Sequence, residues 1–138
     1  CDKRFEVDGA NAARAFLEGH GIAAADIDKV WTAIALHTTP GIPEFMAPEI
    51  ALLTAGVEMD VLGIGYDEVS DASREAVVQQ HPRLDSFKEN IISAFYDGIK
   101  GKTQTTFGNV KADVICDKDP TFVPGNFCSV IRQSRWKS

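Results

Sequence analysis

Residues 31–63, WTAIALHTTPGIPEFMAPEIALLTAGVEMDVLG, decide how this chain is read. Two helical patterns flank a proline-rich loop, and each carries one polar group where an apolar one is expected. Pro48 suits a first helical turn, where its missing N–H has no partner to lose. From there Ile50, Leu53, Val57, Val61 and Ile64 form a stripe at helical spacing. Asp60 follows Val57 by three residues and Leu53 by seven, so it is expected along that stripe and facing inward. Glu58 falls on another, solvated face. A buried carboxylate needs a partner, so Asp60 either caps a neighbouring helix, meets an arginine or serves a site.

The other polar group is His37. Ile27, Val30, Trp31, Ile34 and Ala35 make an apolar face, and His37 extends it, three residues after Ile34 and seven after Val30. It is read either as a cap or core residue, or as a group lining a cavity. The loop from Thr38 to Ala47 is stiffened by Pro40 and Pro43, loosened at Gly41, and carries Ile42, Phe45 and Met46. Apolar loops of this kind beside a few polar groups line small-molecule sites. Thr38, Phe45 and Met46 are therefore the expected pocket wall.

Working outward, 138 residues suit a single domain. An apolar content of 44% and a charged content of 25% are ordinary for a globular chain. The net charge of −6 argues against a general nucleic-acid binder, which needs a basic face. No apolar run reaches the roughly 18 residues of a membrane span, and no segment has the pattern of a signal peptide. Cys1, Cys116 and Cys128 are too few and too scattered for a zinc motif or a disulfide framework, so a reducing, cytoplasmic setting is expected. The chain starts with Cys rather than Met, which leads us to expect a processed, truncated or cleaved product.

Before the central stretch, Asp8 is the expected N-cap of a first helix through Ala10, Ala13, Phe16 and Leu17, ended by Gly19 or Gly21. Arg14 is read as a surface or ion-pair residue, and His20 as a helix-terminal one. The second helix is expected from near Asp26 or Ala25 to near His37 and the third from about Pro48 to Gly63. Ser70 or Asp71 would cap a fourth, through Val77, Val78 and His81, closed by Pro82. Ser86-Phe-Lys-Glu89 has the form of a capping box opening a fifth, with Phe87, Ile91, Ala94 and Phe95 on one face and Gly98 and Gly101 at its end. The segment TTFGNVKADVI is left open between helix and extended chain. Phe127, Val130 and Ile131 predict a last short helix, with Arg132, Arg135 and Trp136 near the end. The class expected is all-α, a bundle of about six helices.

Three blocks, RFEVDGANAARAFL, VWTAIALHTTPGI and PEIALLTAGVEMDVLG, resemble the HD-domain superfamily, and within it the branch of proteins like cyanamide hydratase. TTFGNVKADVI and NFCSVIRQSRW fit the same branch, so the resemblance covers nearly the whole chain. It implies an HD-domain-like helical bundle that binds a divalent metal, zinc or iron, through a first His, an adjacent His-Asp pair and a distant final Asp. It maps that final Asp onto Asp60 and makes His37 a catalytic or pocket residue near the metal.

None of His20, His37 and His81 is followed by Asp, so the first His and the His-Asp pair are not in this sequence. Residues 1–138 are accordingly expected to be the C-terminal two-thirds of an HD domain, inactive alone. The partner expected is an N-terminal fragment bringing the missing ligands, with self-association left open.

The activity implied is that of a metal-dependent hydrolase or hydro-lyase. Metal-bound hydroxide would attack a small electrophile such as a nitrile, as in cyanamide going to urea, and His37 would move a proton or hold the substrate. Two other readings remain. One is an HD-type phosphohydrolase acting on a nucleotide or phosphate ester, which needs basic residues near the metal, and residues 31–63 supply none. The other is a non-catalytic helical subunit or fragment.

Overall fold

A computed structural model describes residues 2–135 of the chain. Cys1 and Trp136, which entered the sequence reading, lie outside the described residues. Seven α-helices and no strand are present among the described residues, so the fold is all-α as expected. The α-helices are α1 (Phe5–Gly19), α2 (Ala24–Leu36), α3 (Pro48–Val57), α4 (Asp71–Gln80), α5 (Phe87–Ile99), α6 (Lys111–Lys118) and α7 (Phe127–Arg132). Among the described residues no helix is long and apolar enough to cross a membrane.

The chain divides into two compact units: Glu6–Ile91, and the described residues up to Phe5 and from Ile92 on. In the first unit α2 packs on α3, and the short 3-10 turn Pro43–Phe45 packs on α3 as well. Ala10, Ile27, Ala33 and Ile50 are its buried apolar side chains, with Pro43. Polar contacts fix the register of the helices. The Trp31 indole N–H donates to Asn11 Oδ1 at 2.9 Å, tying α2 to α1. Arg14 pairs with Asp28 at 2.9 Å while its guanidinium lies over the Trp31 ring. Lys29 of α2 meets Glu49 of α3 at 2.8 Å. Glu6 is almost wholly buried and accepts a 2.5 Å hydrogen bond from the Thr38 hydroxyl.

In the second unit Phe5 and Phe95 meet edge to face with centroids 5.9 Å apart. The buried Lys111 places its Nζ 3.3 Å from the Phe95 centroid. A cation over a ring in a water-poor setting is worth about 2 kcal/mol. Ile99 and Ile115 are the buried aliphatic residues of this unit.

Several sequence expectations are corrected at their edges. The first helix starts at Phe5 rather than at Asp8, which lies within its first turns. Its opening turn is marked by Glu6, a buried acid that no apolar periodicity reveals. Ser70 does cap α4, accepting from the Ser73 N–H at 3.2 Å. The Ser86 capping box does not have its required backbone: Ser86 has φ +58°, the left-handed region, whereas an N-cap is extended. The segment left open between helix and strand forms the 3-10 turn Thr103–Thr106 and α6. Cys116 and Cys128 are free and exposed.

Candidate functional site

The third helix does not run unbroken to Gly63. After Val57 it passes into a π-turn, Glu58–Leu62, ended by Gly63 at φ +74°, a conformation that favours glycine. In a π-turn the bonds reach one residue further back, which inserts an extra residue into the turn. Side chains beyond Val57 therefore fall behind the regular 3.6-residue spacing on which the apolar stripe was drawn. Along α3 itself the buried edge is Ile50 and Thr54, one residue round from Leu53.

The consequence for Asp60 is large: its side chain is 63% exposed, not buried. The expectation of an inward acid is corrected: the buried edge of α3 runs through Ile50 and Thr54 rather than Leu53, and the π-turn then shifts the residues after Val57. Asp60 meets an arginine, as one of its open readings had it. Both terminal nitrogens of Arg83 donate to its Oδ1, at 2.9 Å and 2.8 Å. Both also reach its main-chain carbonyl, Nη1 at 3.3 Å and Nη2 more closely. The guanidinium lies over the Phe87 ring at 4.3 Å.

Asp60 and Arg83 stand on the edge of a cleft of about 540 Å³ with mainly apolar walls, Gly56, Met59, Val69, Val77 and Val78. Tyr66, Ser73, Arg74 and His81 complete it. Its size is that of a small-molecule pocket. Arg74 is held flat on Tyr66, 3.9 Å from the ring centroid, and donates to the carbonyls of Tyr66 and Val69 and to Asp71. His81 is exposed at the C-cap of α4, where it was expected.

The other expected site residues lie elsewhere. His37 is the C-cap of α2, half-buried, with Nδ1 2.6 Å from the Ile34 carbonyl. Thr38 is turned to Glu6, Phe45 is 83% exposed, and Met46 is also exposed. None of these four lines the cleft that Asp60 lines. The shared cavity expected of His37 and Asp60 is thus not formed. Arg83, Tyr66 and Arg74 were missed: Tyr66 and Arg83 lie outside α4, where no apolar period orients them, and Arg74, within α4, is held by Tyr66 and Val69 from the preceding turn, which spacing does not reveal.

A divalent ion needs several ligands, and among the described residues no three of His, Cys, Asp and Glu gather to hold one. Asp60 is the one carboxylate of the cleft; its Oδ1 is engaged by Arg83, and its Oδ2 takes no hydrogen bond among the described residues. A scan against protein-family models finds no match, and neither the curated proteins nor the solved structures contain one that matches this chain.

Proposed function

We propose that this chain is the greater part of an HD-type, metal-dependent hydrolase or hydratase and contributes Asp60 to its site. The carrying observation is the exposed Asp60 carboxylate with Oδ2 open, at the edge of a cleft of ligand size. An acid that completes a metal site with groups from another segment has to lie at the surface of its own segment. In this reading the remaining ligands, a His and an adjacent His-Asp, come from an N-terminal partner segment. When bound, such an ion makes a nucleophile available near neutral pH and polarises the substrate. What this chain supplies is the carboxylate, its orientation and the apolar walls that keep a small substrate out of bulk water.

The substrate class proposed first is a small nitrile of the cyanamide kind. A phosphate ester is the second, favoured by one observation: the cleft that Asp60 lines is also lined by Arg83, Arg74 and His81, basic groups of a kind that residues 31–63 do not supply. Turnover by the complete protein of a nitrile panel against a nucleotide panel separates the two. Asp60→Ala in the complete protein is expected to lose most bound metal with its helix content unchanged. Unaltered metal content would sink the reading and leave a non-catalytic helical subunit.

A further inference from the structure

The charges that line the cleft do not cancel. Asp60 and Arg83 form a matched pair, one carboxylate on one guanidinium. Arg74 is left over. Two of its three acceptors are neutral, the carbonyls of Tyr66 and Val69. The third, Asp71, is 86% exposed and does not line the cleft. A carboxylate in water is screened and offsets little of the field on the far side of its partner. The Arg74 side chain is itself only 16% exposed, pinned by the turn before α4 and stacked on the Tyr66 ring. A guanidinium carries five N–H donors, and the Nε–H and one Nη2 hydrogen of Arg74 have no acceptor among the described residues. A fixed, incompletely balanced cation thus lines a mainly apolar cleft, in a chain of net charge −6.

We propose that the cleft binds a small monoanion with an apolar body, of the aliphatic or aryl carboxylate class, and that Arg74 receives its head. Helical spacing lays out the rest. Val77 and Val78 follow Arg74 by three and four residues and line the same cleft, so one face of α4 carries both the cation and an apolar track for the body. Gly56 and Met59 bound the cleft from the third helix and its π-turn. With His81 neutral, Arg74 supplies one positive charge beyond the Asp60–Arg83 pair. A monoanion balances it. A dianion would leave an excess negative charge between apolar walls that already hold the Asp60 carboxylate. The inference does not rest on the reading of Asp60 as a metal ligand, and neither falls with the other.

The test is a titration of the complete protein with probes that share one body and differ in the head: octanoate, octanamide, octylamine and octyl phosphate. It is run at about pH 8, where the phosphate is a dianion because its second ionisation lies near about pH 6. Octanoate is expected to bind at least about tenfold tighter than the amide or the amine, and tighter than the phosphate. Arg74→Met, which keeps the stem against Tyr66, is expected to erase the preference for octanoate over octanamide. Gly56→Leu supplies a second variant on another element. A Cβ at Gly56 meets nothing within 4 Å, so the larger side chain fits the fold and fills the cleft. It is expected to abolish octanoate binding with helix content unchanged. Octanoate and octanamide binding alike, octylamine binding tightest, or no saturable binding of any probe overturns the anion site. Tighter octyl phosphate overturns the monoanion. A preference kept in Arg74→Met overturns the role of Arg74, and full octanoate affinity in Gly56→Leu overturns the cleft as its place.

Discussion

The two ends of the third helix are held by different physics. At the Pro48 end, burial does most of the holding: Ile50 is 5% exposed, and α2 and the Pro43–Phe45 turn both pack on this helix. At the Asp60 end the side chains are half-buried or exposed, and an arginine fork holds the main chain instead. Hydrophobic burial is non-directional and tolerates approximate shape. A bidentate fork fixes orientation and little else. The packed end therefore gives stability, and the clamped end gives geometry to one carboxylate.

The sharpest way to break that contrast is to cut equal side-chain bulk from the two sides of α3. Ile50→Ala is expected to cost about 2–5 kcal/mol, the range for a buried aliphatic truncated to alanine. Leu52, 71% exposed on the opposite side, is expected to change stability by less than about 0.5 kcal/mol on the same truncation. Urea denaturation of both variants reads this directly. Equal losses would mean that the outer side of α3 is covered in solution.

Two threonines sharpen it further, because the same change should act in opposite directions. Thr38→Val removes the hydroxyl that bonds the buried Glu6 carboxylate, and is expected to cost about 1–3 kcal/mol. Thr54 is buried in α3, and its hydroxyl has no hydrogen-bond partner among the described residues. Thr54→Val keeps the shape and removes an unsatisfied group, so a gain of up to about 1 kcal/mol is expected. Thermal unfolding midpoints that shift the same way in both variants would contradict this account of the two sites.

The packed half of the molecule was legible in the sequence because apolar spacing reports burial. Ile27 in α2, Pro48 at the head of α3 and Ser70 at the cap of α4 follow from period and capping chemistry, whereas the buried Ala33 lies beside the face drawn through Val30, Trp31 and Ile34. The π-turn did not follow, since nothing in Glu58–Leu62 distinguishes a wider turn from a regular one. With the buried edge at Ile50 and Thr54 rather than Leu53, and the turn widened after Val57, Asp60 lies at the surface. Glu6 and Thr38 were hidden for another reason: a buried acid that pairs with a hydroxyl 32 residues away leaves no periodic trace. Arg83 was likewise out of reach, its partner 23 residues earlier and on a different element.

The smallest effect expected concerns the exposed link between α2 and α3. The Lys29 ammonium, hydrogen-bonded to Glu49, holds that carboxyl below its ordinary value of 4.5. The same contact, with a lesser contribution from Asp26, holds Lys29 above its ordinary 10.5. A depressed carboxyl contributes stability that is present above its unfolded value and lost as pH falls through the folded one. A raised amine contributes stability that is present below its unfolded value and lost as pH rises through the folded one. The pair therefore acts across the interval between the two and fails at both ends. Glu49→Gln should lower the urea midpoint slightly near neutral pH, and the difference from the parent protein should shrink as pH falls below 4.5 and vanish once Glu49 is protonated in the folded protein. About 1 M salt should shrink it at every pH, since both groups are open to solvent. A difference independent of pH and salt would show that Glu49 acts through packing on α2 rather than through its charge.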